Sequence, residues 1–352
     1  MSAGRLRMEL AHYRLKFKRP FGIAHGVRDG TDALFLRVTL DDHVGLGEVT
    51  FPPYLPWTAS EVEREVCRWA PRLHQVHGTV NAEMLVDLLD DQPLTPPCRN
   101  VLFMALSDLL SRRTKSPTWK WLKAPQPDLR QPMITLGHCT LPELPQRLAE
   151  MPRFPILKVK LGTETDEALL PTLMRLDDRP LFIDGNQGIK DIDMMYRLID
   201  IAGDRLVGIE QPFSKDRNAL HAQLANATDI PVYGDESIQG MDDLERGRQY
   251  FTGVNIKLLK CGGLDRAVRM AERARAFGMN VMLGSMSESS LGCTAMAHLG
   301  GLADVVDVDG PWLLSNDPCK GLEWSGRHLE MPVGLGHGVD LVSSLEFNPI
   351  GA

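Results

Sequence analysis

Three acids, Asp184 in FIDGNQG, Glu210 in VGIEQPF and Asp235 in VYGDES, close short apolar runs 26 and 25 residues apart. Singly, each would read as the cap of a following helix. In register they are three carboxylates converging on one point, a cluster that repels itself unless a cation sits within it. Oxygen donors with no His or Cys favour Mg²⁺ or Mn²⁺ over Zn²⁺. Two lysine elements accompany the acids. Lys158 and Lys160 stand two residues apart in ILKVKLG, so both side chains leave one face of a strand while Val159 leaves the other. Lys257, in VNIKLLK, ends the run after Asp235. Crowded, partly buried lysines lose a proton more readily than solvated ones, which suits them to acid–base work. Lys260 is expected on the loop opening the next helix. Asp307 and Asp309, in DVDGP, end the last run with two acids on one face, a natural seat for an ammonium group.

The elements that must position these residues follow from the apolar pattern. From about residue 132, short runs at 133–136, 156–161, 181–183, 206–209, 232–233, 254–258, 281–283 and 305–308 alternate with helical segments. Such alternation implies βαβ units around a parallel sheet. The polar ends of the runs recur every 22 to 28 residues, which suits a (β/α)8-type barrel with its site at the C-terminal strand ends. A doubly wound sheet would instead gather its residues at one switch point. The first 55 residues read as β, with strands at 33–40 and 44–50 joined by a short turn at Asp41-Asp42-His43 and loops at 18–26 and 51–56. Thr58 and Glu61 form a capping box for a helix to about Leu73, and 98–113 reads as a second long helix. The tail from Cys319 is β-like and Gly-rich, and is expected to pack back onto the N-terminal part.

Composition excludes other classes. The 352 residues carry 39 basic and 46 acidic side chains, a formal charge of −7, so nothing neutralises a phosphate backbone. No apolar run reaches membrane-spanning length, and charges interrupt the start where a signal peptide needs its apolar core, so a cytoplasmic protein is expected. The 6 cysteines include no C-x-x-C pair and read as reduced, buried thiols.

Taken together, the Lys-x-Lys strand, the acids at 184, 210 and 235 and the opposed Lys257 resemble the muconate-lactonizing subgroup of the enolase superfamily. The resemblance covers essentially the whole chain. It implies a modified TIM barrel, (β/α)7β, at 131–319 under an α+β capping domain of 1–130 joined by 320–352. It also implies one Mg²⁺ per subunit on Asp184, Glu210 and Asp235, with Lys160 and Lys257 as acid and base. Lys158 would neutralise a substrate carboxylate. Within the subgroup, Asp307-x-Asp309, the segment 282–289 with Ser285, and Thr135 are similar to the dipeptide epimerases, notably those acting on L-Ala-D/L-Glu. In that family Asp307 and Asp309 hold the dipeptide's ammonium, and Thr135 and Ser285 contact substrate. The activity implied is a 1,1-proton transfer through an enediolate. The expected partner is a small dipeptide, with no nucleic acid and no membrane; homo-oligomerisation stays open. His25 and Arg28, near the loop tips, are candidates to meet an acidic side chain, and Ala-Glu or Ala-Ala dipeptides are the leading substrates. An o-succinylbenzoate synthase or muconate-type cycloisomerase shares the lysines but leaves Asp307 and Asp309 without a partner. A non-catalytic barrel would lack a lysine or a metal ligand, and all five are present.

Overall fold

The computed structural model describes residues 6–23, 26–76, 80–162, 166–326 and 328–350. The N-terminal sheet is an antiparallel meander of β1 (Arg7–Ile23), β2 (Gly26–Leu40) and β3 (His43–Phe51). Met8 and Leu10 are buried on one face of β1, and Ala11, Leu15 and Phe17 on the other. The stretch expected as a loop at 18–26 is the far end of this hairpin. Pairing lapses after Lys16 and resumes at Phe21 opposite Arg28. Pro20, which lacks a backbone N–H, lies within the irregular part. His25 lies outside the described residues.

Helix α1 (Ala59–Trp69) opens on the expected capping box, with Thr58 N donating to Glu61 Oε2 at 2.9 Å. It runs into a 3₁₀ turn, Ala70–Gln75. After α2 (Ala82–Asp90) comes α3 (Pro96–Arg113), buried on every side along most of its length. It carries no one-sided apolar stripe because it lies between the sheet and the barrel, so polar Arg99, Asn100 and Asp108 are buried beside Val101 and Phe103. The helix approaches β3 closely: a Cβ at Gly45 would fall 2.1 Å from Ala105 O, and one at Gly47 2.4 Å from Val101 O.

The remainder is the barrel. Its strands are β4 (Met133–Leu136), β5 (Ile156–Lys160), β6 (Leu181–Asp184), β7 (Leu206–Glu210), β8 (Val232–Gly234), β9 (Gly253–Ile256), β10 (Asn280–Gly284) and β11 (Val305–Asp307). They are parallel and neighbour one another in chain order, and a bridge between Pro132 and Val306 closes the ring. All eight expected runs are strands, and the last is followed only by the single turn Gly310–Leu313. The tail returns as expected: Asn348–Pro349 pairs with Glu9 and Leu10 of β1, and buried His337 contacts Thr118 Oγ1 through Nδ1 at 2.9 Å. Among the described residues no helix is long and apolar enough to cross a membrane. All six cysteines are free thiols.

Two buried contacts, one from the sheet and one from α3, lock the N-terminal elements to the barrel. Glu48 of β3 accepts hydrogen bonds from Ser289 N at 2.8 Å, Ser289 Oγ at 2.5 Å and Gly292 N at 2.9 Å, capping helix Ser290–Ala297. Arg99 of α3 donates two bonds to Asp265, 2.8 and 2.9 Å long, and a third to Gly262 O. Burial pushes the Glu48 carboxyl up to about 7, and burial with the Glu48 charge pushes neighbouring Glu288 up to about 8. The folded protein therefore holds protons here that the unfolded chain releases, and stability falls as pH rises through that range. We expect Glu288→Gln to melt higher than wild type by about 2–4 °C near pH 8.5, and with no advantage near pH 4.5. Scanning calorimetry at the two pH values checks this; equal shifts at both would contradict it.

Candidate active site

Strand geometry brings the charged residues to one end of the barrel. Lys158 and Lys160 leave the same face of β5, and both reach Asp184 at the end of β6. Lys160 Nζ lies 2.5 Å from Asp184 Oδ2, whose carboxylate also accepts Asn186 N at 3.0 Å through Oδ1. Lys158 is 1% exposed, and its ammonium stands 2.9 Å from Asp184, 2.7 Å from Glu210 and 2.6 Å from Asp307. It is thus engaged by protein carboxylates, where the sequence suggested a substrate carboxylate. On the far wall Lys257 Nζ donates to Asp235 Oδ2 at 2.9 Å. Lys260 is not a solvated loop residue: it is buried in the turn Leu258–Cys261 and donates to Asp235 Oδ1 at 2.6 Å.

The Asp307–Asp309 pair lies beside this cluster. Asp309 Oδ2 accepts the Thr135 backbone N–H at 2.7 Å, and Ser285 donates both N–H and Oγ–H to the Asp307 carbonyl, at 2.9 and 3.2 Å. Asp307 Oδ1 is buried without a hydrogen-bond partner. Thr135, Lys158, Lys160, Lys257, Ser285, Asp307 and Asp309 all line one cleft of about 710 Å³, roofed by Tyr54, Leu55 and Trp57 from the loop after β3. Arg28, on the hairpin, also lines it; its Nε and Nη1 have no hydrogen-bond partner.

Several contributors lie outside the sequence-based expectations. Asn255 donates to Glu210 Oε1 at 2.7 Å; it stands two residues before Lys257 in an extended stretch, a usable signal. Gln211, with φ +34°, accepts Asp235 N–H and Ser237 N–H on one oxygen and so ties two strand ends together. Nothing local marks it as special.

Carboxyls crowd the strand ends. Asp184, Glu210, Asp235, Glu236, Asp307 and Asp309 face the ammonium groups of Lys158, Lys160, Lys257 and Lys260, six carboxyls against four lysines, while Arg28 and the exposed Lys215 line the same cleft. At two carboxyls the lysines prevail: burial opposes ionisation of Asp184 and Asp235, yet Lys158 and Lys160 hold the first, and Lys257 and Lys260 the second, well below the usual carboxylate range. Other carboxyls rise. Burial and the Asp184 charge push Glu210 up to about 6 in spite of the Lys158 ammonium beside it, burial and the Asp235 charge push Glu236 up to about 8, and burial and the Asp307 charge push Asp309 up to about 7.

Among the described residues no three His, Cys, Asp or Glu side chains form a finished metal cage; the lysine ammoniums stand against the carboxylates. The donor set nonetheless fits a hard divalent cation. The acids are oxygen donors on successive strand ends, and Asn186 Oδ1 is buried without a hydrogen bond next to Asp184.

Residues 141–344 match the Enolase C-terminal domain-like family. The L-Ala-D/L-Glu epimerase of Bacteroides thetaiotaomicron is 31% identical over 326 residues, 91% of this chain and 84% of that one. The structure of a substrate-liganded complex of the L-Ala-D/L-Glu epimerase from Bacillus subtilis superposes with a TM-score of 0.85 at 26% identity, covering 96% of this chain and 99% of that one. The dipeptide epimerase from Cytophaga hutchinsonii, complexed with Mg and D-Ala-L-Val, has the same fold, with a TM-score of 0.84 at 22% identity over 99% of this chain and 100% of that one.

A divalent cation must displace protons from the raised carboxyls. We expect protein stripped with EDTA to bind one Mn²⁺ with an affinity that rises from about pH 6 to about pH 8, releasing protons as it does so. Calorimetry in buffers of different ionisation enthalpy reads both effects; a pH-independent affinity would contradict the raised carboxyls.

Proposed function

The chain belongs to the Enolase C-terminal domain-like family, and we propose that it is a magnesium-dependent dipeptide epimerase that inverts the α-carbon of the C-terminal residue. The observation that carries this reading is the position of two lysines. Lys160 ends β5 and Lys257 follows β9, four strands away in a closed ring of eight, so the two reach one cleft from opposite walls. One of them, as the neutral amine, takes the α-proton from one face of the substrate. The other, as the ammonium, delivers a proton to the opposite face, and the carbon inverts. The reverse reaction exchanges their roles.

The deprotonated substrate is an enediolate with two negative charges, and it is too unstable to form without compensation. Mg²⁺ held by Asp184, Glu210 and Asp235 would supply positive charge at the substrate carboxylate as that charge develops. Lys158 keeps the surrounding carboxylates from repelling one another. Asp307 and Asp309 receive the dipeptide's ammonium, which is supported by the unpartnered Asp307 Oδ1 and the raised Asp309 carboxyl. Thr135 and Ser285 hold these two acids in place through the hydrogen bonds described. In this reading residues 1–130 and 320–352 form a lid over a barrel of residues 131–319.

Substrate preference follows from the roof of the cleft. The relatives from Bacteroides and Bacillus are L-Ala-D/L-Glu epimerases, and an acidic second side chain would give Arg28 Nε and Nη1 the acceptor they lack. Its face lies 5.5 Å from the Tyr54 ring, which restricts where it can reach.

Two outcomes are expected. Lys160→Ala and Lys257→Ala should each slow epimerisation of L-Ala-L-Glu by about 10²–10⁴-fold. In D₂O each variant should keep α-proton exchange with one isomer only, the two variants choosing opposite isomers by NMR. Full activity in either would remove that lysine from its role. Arg28→Met should raise KM for Ala-Glu at least ~10-fold, the scale of one charge-assisted contact, while leaving Ala-Ala within about two-fold; equal effects on both would rule out the acidic preference.

A further inference from the structure

Lys260 lines the same cleft as Lys257 and lies three residues from it, yet the two ammonium groups are placed for different work. Lys257 donates to a single carboxylate oxygen, Asp235 Oδ2. Lys260 is 5% exposed and stands within hydrogen-bond distance of four acceptors: Asp235 Oδ1 at 2.6 Å, Asp235 O at 2.8 Å, Ile238 O at 3.0 Å and Asn255 O at 3.0 Å. An ammonium has three N–H groups, so all of them are committed and none remains for a substrate.

The four acceptors come from three places that must stay in register: the end of β8, the turn after it and the end of β9. Lys260 therefore grips Asp235 by carboxylate and carbonyl at once, while Gln211 Oε1 accepts the Asp235 N–H from the other side at 3.0 Å. With Oδ1 held by Lys260, the carboxylate has one rotamer, and Oδ2 is the oxygen presented toward Lys257. We propose that Lys260 is a positioning residue: it fixes the Asp235 carboxylate in the orientation that the divalent-cation site requires, and takes no part in proton transfer. This rests on the reading of Asp235 as a cation ligand.

The effect is read on the metal alone. Mn²⁺ binding to EDTA-stripped protein is followed by electron paramagnetic resonance for wild type, Lys260→Met and Lys260→Gln, with circular dichroism and metal-free melting as folding controls. Removing a residue that orients a ligand costs about 10–100-fold in metal affinity, so Lys260→Met should raise the Mn²⁺ dissociation constant by that factor while remaining folded, and Lys260→Gln, which keeps two N–H donors, should lose less. Excess Mn²⁺ should restore most of kcat, which loss of an acid–base group would not allow. An unchanged dissociation constant in folded Lys260→Met would overturn the proposal while leaving the epimerase reading intact. Wild type that binds no Mn²⁺ would overturn both. Should neither variant fold, acylation of the metal-free wild type decides: Lys260 must resist a reagent that modifies the exposed Lys123, and modification of the two at similar rates would overturn the proposal.

Discussion

The structure depends on how one patch of buried negative charge is kept stable. Six carboxyl groups share the floor of a closed barrel with four ammonium groups. Desolvated charges of one sign cannot be held together unless nearly every one is matched. Lysines hold Asp184 and Asp235 ionised, while Glu210, Glu236 and Asp309 rise toward neutral pH. Those raised carboxyls are what make the floor receptive to a divalent cation and to an ammonium-bearing substrate. The same surplus of negative charge holds Lys257 as the ammonium, well above the usual lysine range, the form that delivers a proton.

A floor of this kind needs rigid support, and the barrel provides it cheaply. Each strand contributes one or two polar side chains at its end, while its neighbours along the strand fill the apolar interior. The cap adds further support through Glu48 at the start of helix Ser290–Ala297 and Arg99 on Asp265, both buried and both multiply bonded. Arg99 also holds Gly262 O, just beyond the turn that carries Lys260, so the cap is tied to the segment that positions Asp235. The roof over the cleft, in contrast, comes from the loop after β3 and the hairpin, which leaves substrate choice to residues outside the barrel.

Much of this was readable from the chain. The eight apolar runs and the acids that end them are local, periodic signals, and a closed parallel barrel turns that periodicity into convergence at one point. Lys158 and Lys160 were legible together because strand side chains alternate. Lys260 was misjudged because the Cys-Gly-Gly after it reads as a loop opening; its burial depends on Asp235, Ile238 and Asn255, which no local pattern connects to it. The same holds for Gln211 and Glu48, whose partners lie on other elements. Helix α3 carries no apolar stripe because it is enclosed on all sides, a property of its surroundings and not of its own residues. The hairpin end at 18–26 looked like a loop because Pro and Gly interrupt it, whereas pairing resumes beyond them.

The most direct measurement is α-proton exchange by the wild-type enzyme. A library of dipeptides is incubated in D₂O with Mg²⁺, and each is examined by mass spectrometry and for the configuration of its C-terminal residue. We expect dipeptides with a small first residue, Ala-Glu foremost, to gain one mass unit and to appear as both epimers, and the gain to vanish with EDTA. Absence of exchange in every dipeptide, or exchange that persists without the metal, would contradict proton transfer between Lys160 and Lys257 over a cation-bearing floor.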